Sequence, residues 1–299
     1  MRKMGNDSNI IGLRTLLGDY PNTLALKRGD ICPSGLVLDF ADVKVPSTAF
    51  KEVVRDLKYD VAELAIVTYL QAKAHGKPLV LLPAVVMGTL PHPFLVYNTE
   101  RGQMTPADLM DRRVGIRAYS VTTVTWIRGI LQNEYGVDLD RIKWVTFEDP
   151  HVAEYQDPAT AERAPAGKQL VKMLLDGEID AGVVGGPDLK DQSFRPVISN
   201  PNKAGRAWCQ RRALPLNHML VVKESLANSN PSAVKEIYRV LRESKQAAPA
   251  ASDLDTIRFG VENIRRSLEL IIDYSLQQRL IPRRFEVDAL FDDVTRGLN

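Results

Sequence analysis

The residues Arg113-Val-Gly-Ile-Arg117-Ala-Tyr119-Ser120-Val-Thr122-Thr123-Val-Thr125-Trp126-Ile-Arg128-Gly129 begin as a β-branched run and end in helical spacing, with a hydroxyl-rich turn between. A strand that passes through such a turn into a helix needs a sheet with helices packed on it, and so points to an α/β fold. It also aims unpaired backbone N–H groups, with the positive end of the helix dipole, at the space above the sheet edge. Arg117 at the end of the strand adds a full charge in a planar fork suited to a carboxylate or phosphate. The turn reads as a seat for a small anion; the alternative is an ordinary capped helix beside a surface arginine.

The same strand-to-helix rhythm runs twice along the chain. Strands are expected at Asn9–Leu13, Leu36–Phe40, Tyr59–Glu63, Leu79–Pro83 and His92–Tyr97, with helices from Ser47 to about Leu57 and through Tyr69-Leu70. Thr105-Pro106-Ala-Asp108 has the pattern of a capped helix start. A second series follows: strands at 114–117, 142–147 and 179–184, and helices at 122–134 and 167–175. His218–Lys223 returns as a strand and only helices come after it, with Ala247–Ser252 as a linker. The alternation implies parallel sheets flanked by helices. It divides the 299 residues into a discontinuous first lobe (1–99 plus 213–299) and a continuous second lobe (100–212), joined by two hinge crossings around a central cleft. Ligands of such folds sit beyond the carboxyl ends of the strands.

A net charge of +2, without a basic run, argues against nucleic acid or an anionic membrane as partner. No segment approaches the length of an apolar spanning helix, and no signal peptide is legible, so a cytoplasmic location is expected. Cys32 and Cys209 lack any ligand-like spacing and read as two thiols, although the sequence leaves a disulfide open. A homodimer is also left open.

Several blocks resemble the 4,5-dihydroxyphthalate decarboxylase family. They are Gly18-Asp19-Tyr20 with Leu26-Lys27-x-Gly29, Tyr59-Asp60-Val-x-Glu63, Arg113-Val-Gly-x-Arg117-x-Tyr119, Trp144-Val-Thr-Phe-Glu148-Asp149-x-His151-Val152, the region Pro215–His218, and the tail Gly260-Val-Glu262-Asn263-x-Arg265 to Leu280. The resemblance implies a type II periplasmic-binding-protein-like fold and decarboxylation of a hydroxylated aromatic, phthalate-like acid. Two departures stand out. The family pattern has an arginine in its first turn, in an Asp-Tyr-Asp-Arg-Thr setting, where this chain has Asp19-Tyr20-Pro21-Asn22-Thr23. It also has arginines in the block that here reads Gly88-Thr-Leu-Pro91-His92-Pro93.

Losing CO2 from a hydroxylated aromatic acid needs no cofactor in principle. The protein must hold a retained carboxylate, bind the phenol and deliver one proton to the ring. Arg117, Tyr119, Ser120, Thr122 and Thr123, with Asp19, Tyr20, Asn22, Thr23 and Glu148, are the candidate binding residues. Histidine is the natural proton carrier near neutrality. Of four histidines, His75 reads as a helix-end cap, whereas His92, His151 and His218 fall near strand ends. Glu63 completes the candidate catalytic set, and a buried structural role is the alternative for each of these residues. A metal ion held by Glu63, His92, His151 and His218 is a further alternative without supporting spacing. Trp126 and Trp144 read as core. A non-catalytic solute-binding or sensor protein for a small carboxylate is the competing function.

Overall fold

The computed structural model describes residues 10–250 and 254–299. In chain order the strands are β1 Ile11–Leu16, β2 Leu36–Phe40, β3 Val61–Ala65, β4 Leu79–Met87, β5 Leu95–Asn98, β6 Arg113–Ile116, β7 Lys143–Thr146, β8 Ala161–Arg163, β9 Ala181–Val183, β10 Phe194–Pro196 and β11 His218–Lys223. The helices are α1 Leu24–Lys27, α2 Phe50–Arg55, α3 Ile66–Ala74, α4 Thr122–Tyr135, α5 Leu170–Asp176, α6 Pro201–Arg211, α7 Glu224–Ser229, α8 Pro231–Ala247, α9 Val261–Gln277 and α10 Asp293–Arg296.

Two sheets result, ordered β2-β1-β3-β11-β4 and β10-β5-β9-β6-β7-β8. The fold is α/β and two-lobed, with chain crossings between Met87 and Leu95 and between Arg211 and His218. Strand β5 pairs within the second sheet, so the first crossing precedes Leu95, earlier than a break at residue 99. Neither sheet is purely parallel as the rhythm suggested. Strand β11 returns antiparallel between β3 and β4, and β5 runs antiparallel to both β9 and β10. Each antiparallel strand is the first strand laid down after a crossing, and each inserts between two strands that run the other way.

Strand β3 is central in its sheet and buried at all five positions, as a continuous Val-Ala-Glu-Leu-Ala run requires. Glu63 is the single charge in that run. Strand β11 pairs with it in the register His218↔Ala65 and Leu220↔Glu63, which brings the start of β11 to the end of β3. The chain then turns directly into α3, whereas β6 reaches α4 through the turn at 117–121. Helix α4 buries Val124, Trp126, Ile127, Ile130 and Leu131 in a core that continues through α3 and α9. Gly129 makes the α4–α9 contact possible: a Cβ there would lie 2.0 Å from the Tyr274 ring. Trp126 and Trp144 are fully buried, and His75 caps the C-terminal end of α3. Among the described residues no helix is long and apolar enough to cross a membrane, and both cysteines are free thiols.

Candidate active site

The turns after β1, β3 and β6, the loop after β7 and the start of β11 meet at one end of the sheets. Glu63 is wholly buried there, and both of its carboxylate oxygens are engaged. Oε2 accepts from the Gly18 backbone N–H at 2.6 Å, and Oε1 accepts from the Tyr20 hydroxyl at 2.7 Å. Oε1 also lies 2.7 Å from His218 Nδ1. Gly18 is required for this arrangement, because a Cβ would stand 2.7 Å from Tyr20 Cζ and push the ring off the carboxylate. Burial, reinforced by the Glu63 charge, drives the Tyr20 phenol far above its ordinary range, so it stays a hydroxyl donor. Thr23 closes the turn: its hydroxyl accepts from Tyr20 N at 2.9 Å and donates to the Gly18 carbonyl at 2.7 Å.

With Nδ1 held by Glu63, Nε2 of His218 is the ring nitrogen left to exchange a proton with a ligand. Phe50 separates this histidine from the next one. Its ring stands edge-on to His218 at 5.0 Å and to His151 at 5.5 Å. His151 is buried, with Nδ1 2.8 Å from the Thr68 hydroxyl. Burial, followed by the nearby charges of Arg117 and Lys51, lowers its pKa to about 3. It is therefore neutral at physiological pH and can serve as a hydrogen-bond partner but not as a stored acid.

Positive charge comes from both sides, Arg117 before α4 and Lys51 on α2. Arg117 is partly exposed and only loosely paired with Glu148, at 3.5 Å. Lys51 makes no hydrogen bond or ion pair among the described residues. The sequence reading missed Lys51; its position next to Phe50 in the α2 segment was the available signal. The threonines of the turn bind inward. Thr122 Oγ1 accepts from Val67 N at 3.2 Å, and Thr123 Oγ1 accepts from Asn217 Nδ2 at 3.0 Å. Asn217, also missed, accepts from Thr89 N at 2.9 Å through Oδ1 and from Ile66 N through its carbonyl, and so ties both crossings to the site. Ser120 and Tyr119 are buried, and the Tyr119 ring packs against Trp144. Tyr119 is a core residue here and not a cleft-facing one.

Three further residues lie elsewhere than expected: His92, Asn22 and Asp19. His92 does not join the other histidines: it is buried against Trp208, its pKa lowered to about 4 by that burial. The four residues considered as metal ligands are therefore not assembled, and the described residues contain no group of three or more His, Cys, Asp or Glu placed to hold an ion. Asn22 turns inward, donating to the Val86 carbonyl at 3.1 Å, while exposed Asp19 pairs with Lys27. The loop after β7 is fastened to the first lobe. Arg55 donates to the carbonyls of Pro150 and His151 at 2.7 and 2.8 Å, and Lys77 pairs with Glu154 at 2.6 Å.

The architecture is that of type II periplasmic-binding-protein-like proteins. The alkanesulfonate-binding protein SsuA from Xanthomonas axonopodis pv. citri, bound to MOPS, superposes with a TM-score of 0.60 over 94% of this chain and 98% of its own, at 16% identity. The desulfurization enzyme DSZB gives a TM-score of 0.57 over 96% and 98%, at 14% identity. In sequence, the 4,5-dihydroxyphthalate decarboxylase of Comamonas testosteroni is 31% identical over 250 residues, covering 79% of this chain and 75% of the relative. That of Pseudomonas putida is 27% identical over 181 residues, covering 58% and 70%. No family model matches the chain. The chain belongs to the 4,5-dihydroxyphthalate decarboxylase family, and is by class a carboxy-lyase.

Proposed function

We propose that the protein decarboxylates a hydroxylated, phthalate-like aromatic acid without a cofactor. Glu63 and His218 supply the proton, and the α4 turn with Arg117 seats the carboxylate that is retained. The observation that carries this reading is the contact of 2.7 Å between Glu63 and His218 at the mouth of the strands. In this reading Glu63, fixed by Gly18 and Tyr20, holds His218 through Nδ1 and stabilises its protonated form. Nε2–H gives its proton to the ring carbon that bears the leaving carboxylate. The bond from that carbon to the carboxyl carbon then breaks, its electron pair remains in the ring to restore aromaticity, and CO2 departs. His218 is reprotonated from solvent, so one proton is consumed in each turnover. A ring hydroxyl ortho or para to the leaving group lowers the barrier by sharing the positive charge of the protonated ring, and in this reading neutral His151 accepts that hydroxyl's hydrogen bond.

The test is incubation of the purified chain with 4,5-dihydroxyphthalate and a panel of hydroxylated benzoates, following CO2 release and the ring product. In D2O one deuterium should appear at the carbon that lost the carboxylate. Tight binding of these acids without CO2 release would replace the enzyme with a solute-binding protein.

A further inference from the structure

Arg128 has no role in the chemistry above, yet it is among the largest fully buried side chains. It lies on α4 and, as helical side chains do, runs back toward the start of its helix. There Nη2 donates to the Tyr119 carbonyl at 2.6 Å, and the guanidinium sits 3.6 Å above the Tyr119 ring and 5.5 Å from that of Trp144. Nε and Nη1 are buried without a hydrogen-bond partner, as are the Tyr155 hydroxyl and Asp157 Oδ1 nearby. No carboxylate forms an ion pair with Arg128 among the described residues; Asp157 acts on it only through space, without contact. A buried cation is ordinarily retained only when paired, because its desolvation is so unfavourable. Here the charge is left open directly behind a turn that already carries Arg117 and the positive end of a 14-residue helix.

We propose that Arg128 is a positioning residue for substrate, and that the carboxylate seated at the Arg117–Thr123 turn is its missing counter-charge. The guanidinium draws the Tyr119 carbonyl inward, which keeps that negative dipole end away from the seat. It also lends the seat a standing positive potential that solvent does not screen. The inference rests on the reading of that turn as the carboxylate site and adds the residue that gives the turn its affinity for dianions.

The experiment is calorimetric titration of the full chain at pH 8 with phthalate, a diacid lacking the hydroxyls that decarboxylation needs. Arg128→Met should raise Kd by roughly ten- to thirtyfold, the order expected when one incompletely screened charge near the ligand is removed. Arg128→Lys should restore most of that loss, and kcat of either variant should change by less than about threefold. Asp157→Asn removes the opposing charge without touching the core arginine, and should tighten phthalate about two- to threefold. Phthalate bound as tightly by folded Arg128→Met as by the unaltered chain overturns the proposal, and so does a Lys variant as weak as Met. If Arg128→Met does not fold, an unchanged Kd in Asp157→Asn overturns it. Unaltered protein that releases CO2 while these variants bind normally sinks this inference alone. Unaltered protein that neither binds phthalate nor releases CO2 sinks the reading on which it rests.

Discussion

The two walls of the cleft are built on opposite plans. On the first-sheet wall, Glu63 is sealed from solvent and accepts hydrogen bonds on both oxygens, so that Gly18, Tyr20 and His218 are locked to one carboxylate. On the α4 wall, Arg117 is partly exposed and makes only a long contact to Glu148. One wall is rigid and saturated; the other carries charge that is not yet spent. Proton transfer to a ring carbon demands fixed geometry, whereas capture of an anion demands potential and tolerates movement. The difference assigns chemistry to the first wall and affinity to the second.

The largest effect that could break this division is at His218. Its change to Ala should lower kcat by on the order of 10²–10⁴ and leave phthalate affinity nearly intact, as measured by steady-state kinetics beside calorimetry. An equal loss in both would put His218 on the binding wall. Glu63→Gln sharpens the point: the amide keeps the shape but can no longer stabilise a protonated imidazole, and kcat should fall by on the order of 10² with KM little changed. Arg117→Ala should show the inverse, losing roughly 1.5–3 kcal/mol of phthalate binding with kcat largely preserved.

The smallest effect is read from stability against pH. His151 is held neutral in the fold, its pKa lowered to about 3, whereas the unfolded chain binds that proton near pH 6.5. Between those values the unfolded state carries more protons, so this contribution is fully present above pH 6.5. It declines as the pH falls, by at most about 1.4 kcal/mol per unit. Buried His92 acts in the same direction. Urea denaturation at pH 7 and pH 5 should show this slope, and His151→Gln should flatten it. A slope unaltered in that variant would mean that His151 is not buried neutral.

Much of the frame was legible in the sequence. The runs Leu36–Phe40 and His218–Lys223 are strands at the expected residues, and the strand-to-helix passage at 113–135 gives β6 and α4. These segments have strong periods and clear boundaries, so local preference and tertiary context agree. Strands β8 and β10, at three residues each, carry no period that could be read. Helix α6 is strongly polar around Gly205, and its start signal, Asn200 followed by Pro201, was the only usable cue. At the site, the convergence of Glu63, Tyr20 and His218 follows from neighbouring chain segments: the turn after β1, the middle of β3 and the start of β11. The burial of Tyr119 and the inward turn of Asn22 do not, because a hydroxyl or amide beside a strand end can face either way. His92 misled because it too lies near a strand start, but on the crossing, where Trp208 covers it.

Gly129 has a consequence for how the molecule comes apart. By admitting the Tyr274 ring to the surface of α4, it joins a helix from the end of the chain to one that follows a strand of the other sheet. Trp126 extends the joint, with ring contacts of 5.7 Å to both Tyr274 and Trp208 and a hydrogen bond of 2.8 Å to the Leu216 carbonyl on the second crossing. Swinging one sheet wholly away from the other would strip this aromatic cluster bare. Separating the lobes would expose the apolar surface of both, so the chain should melt in a single cooperative transition.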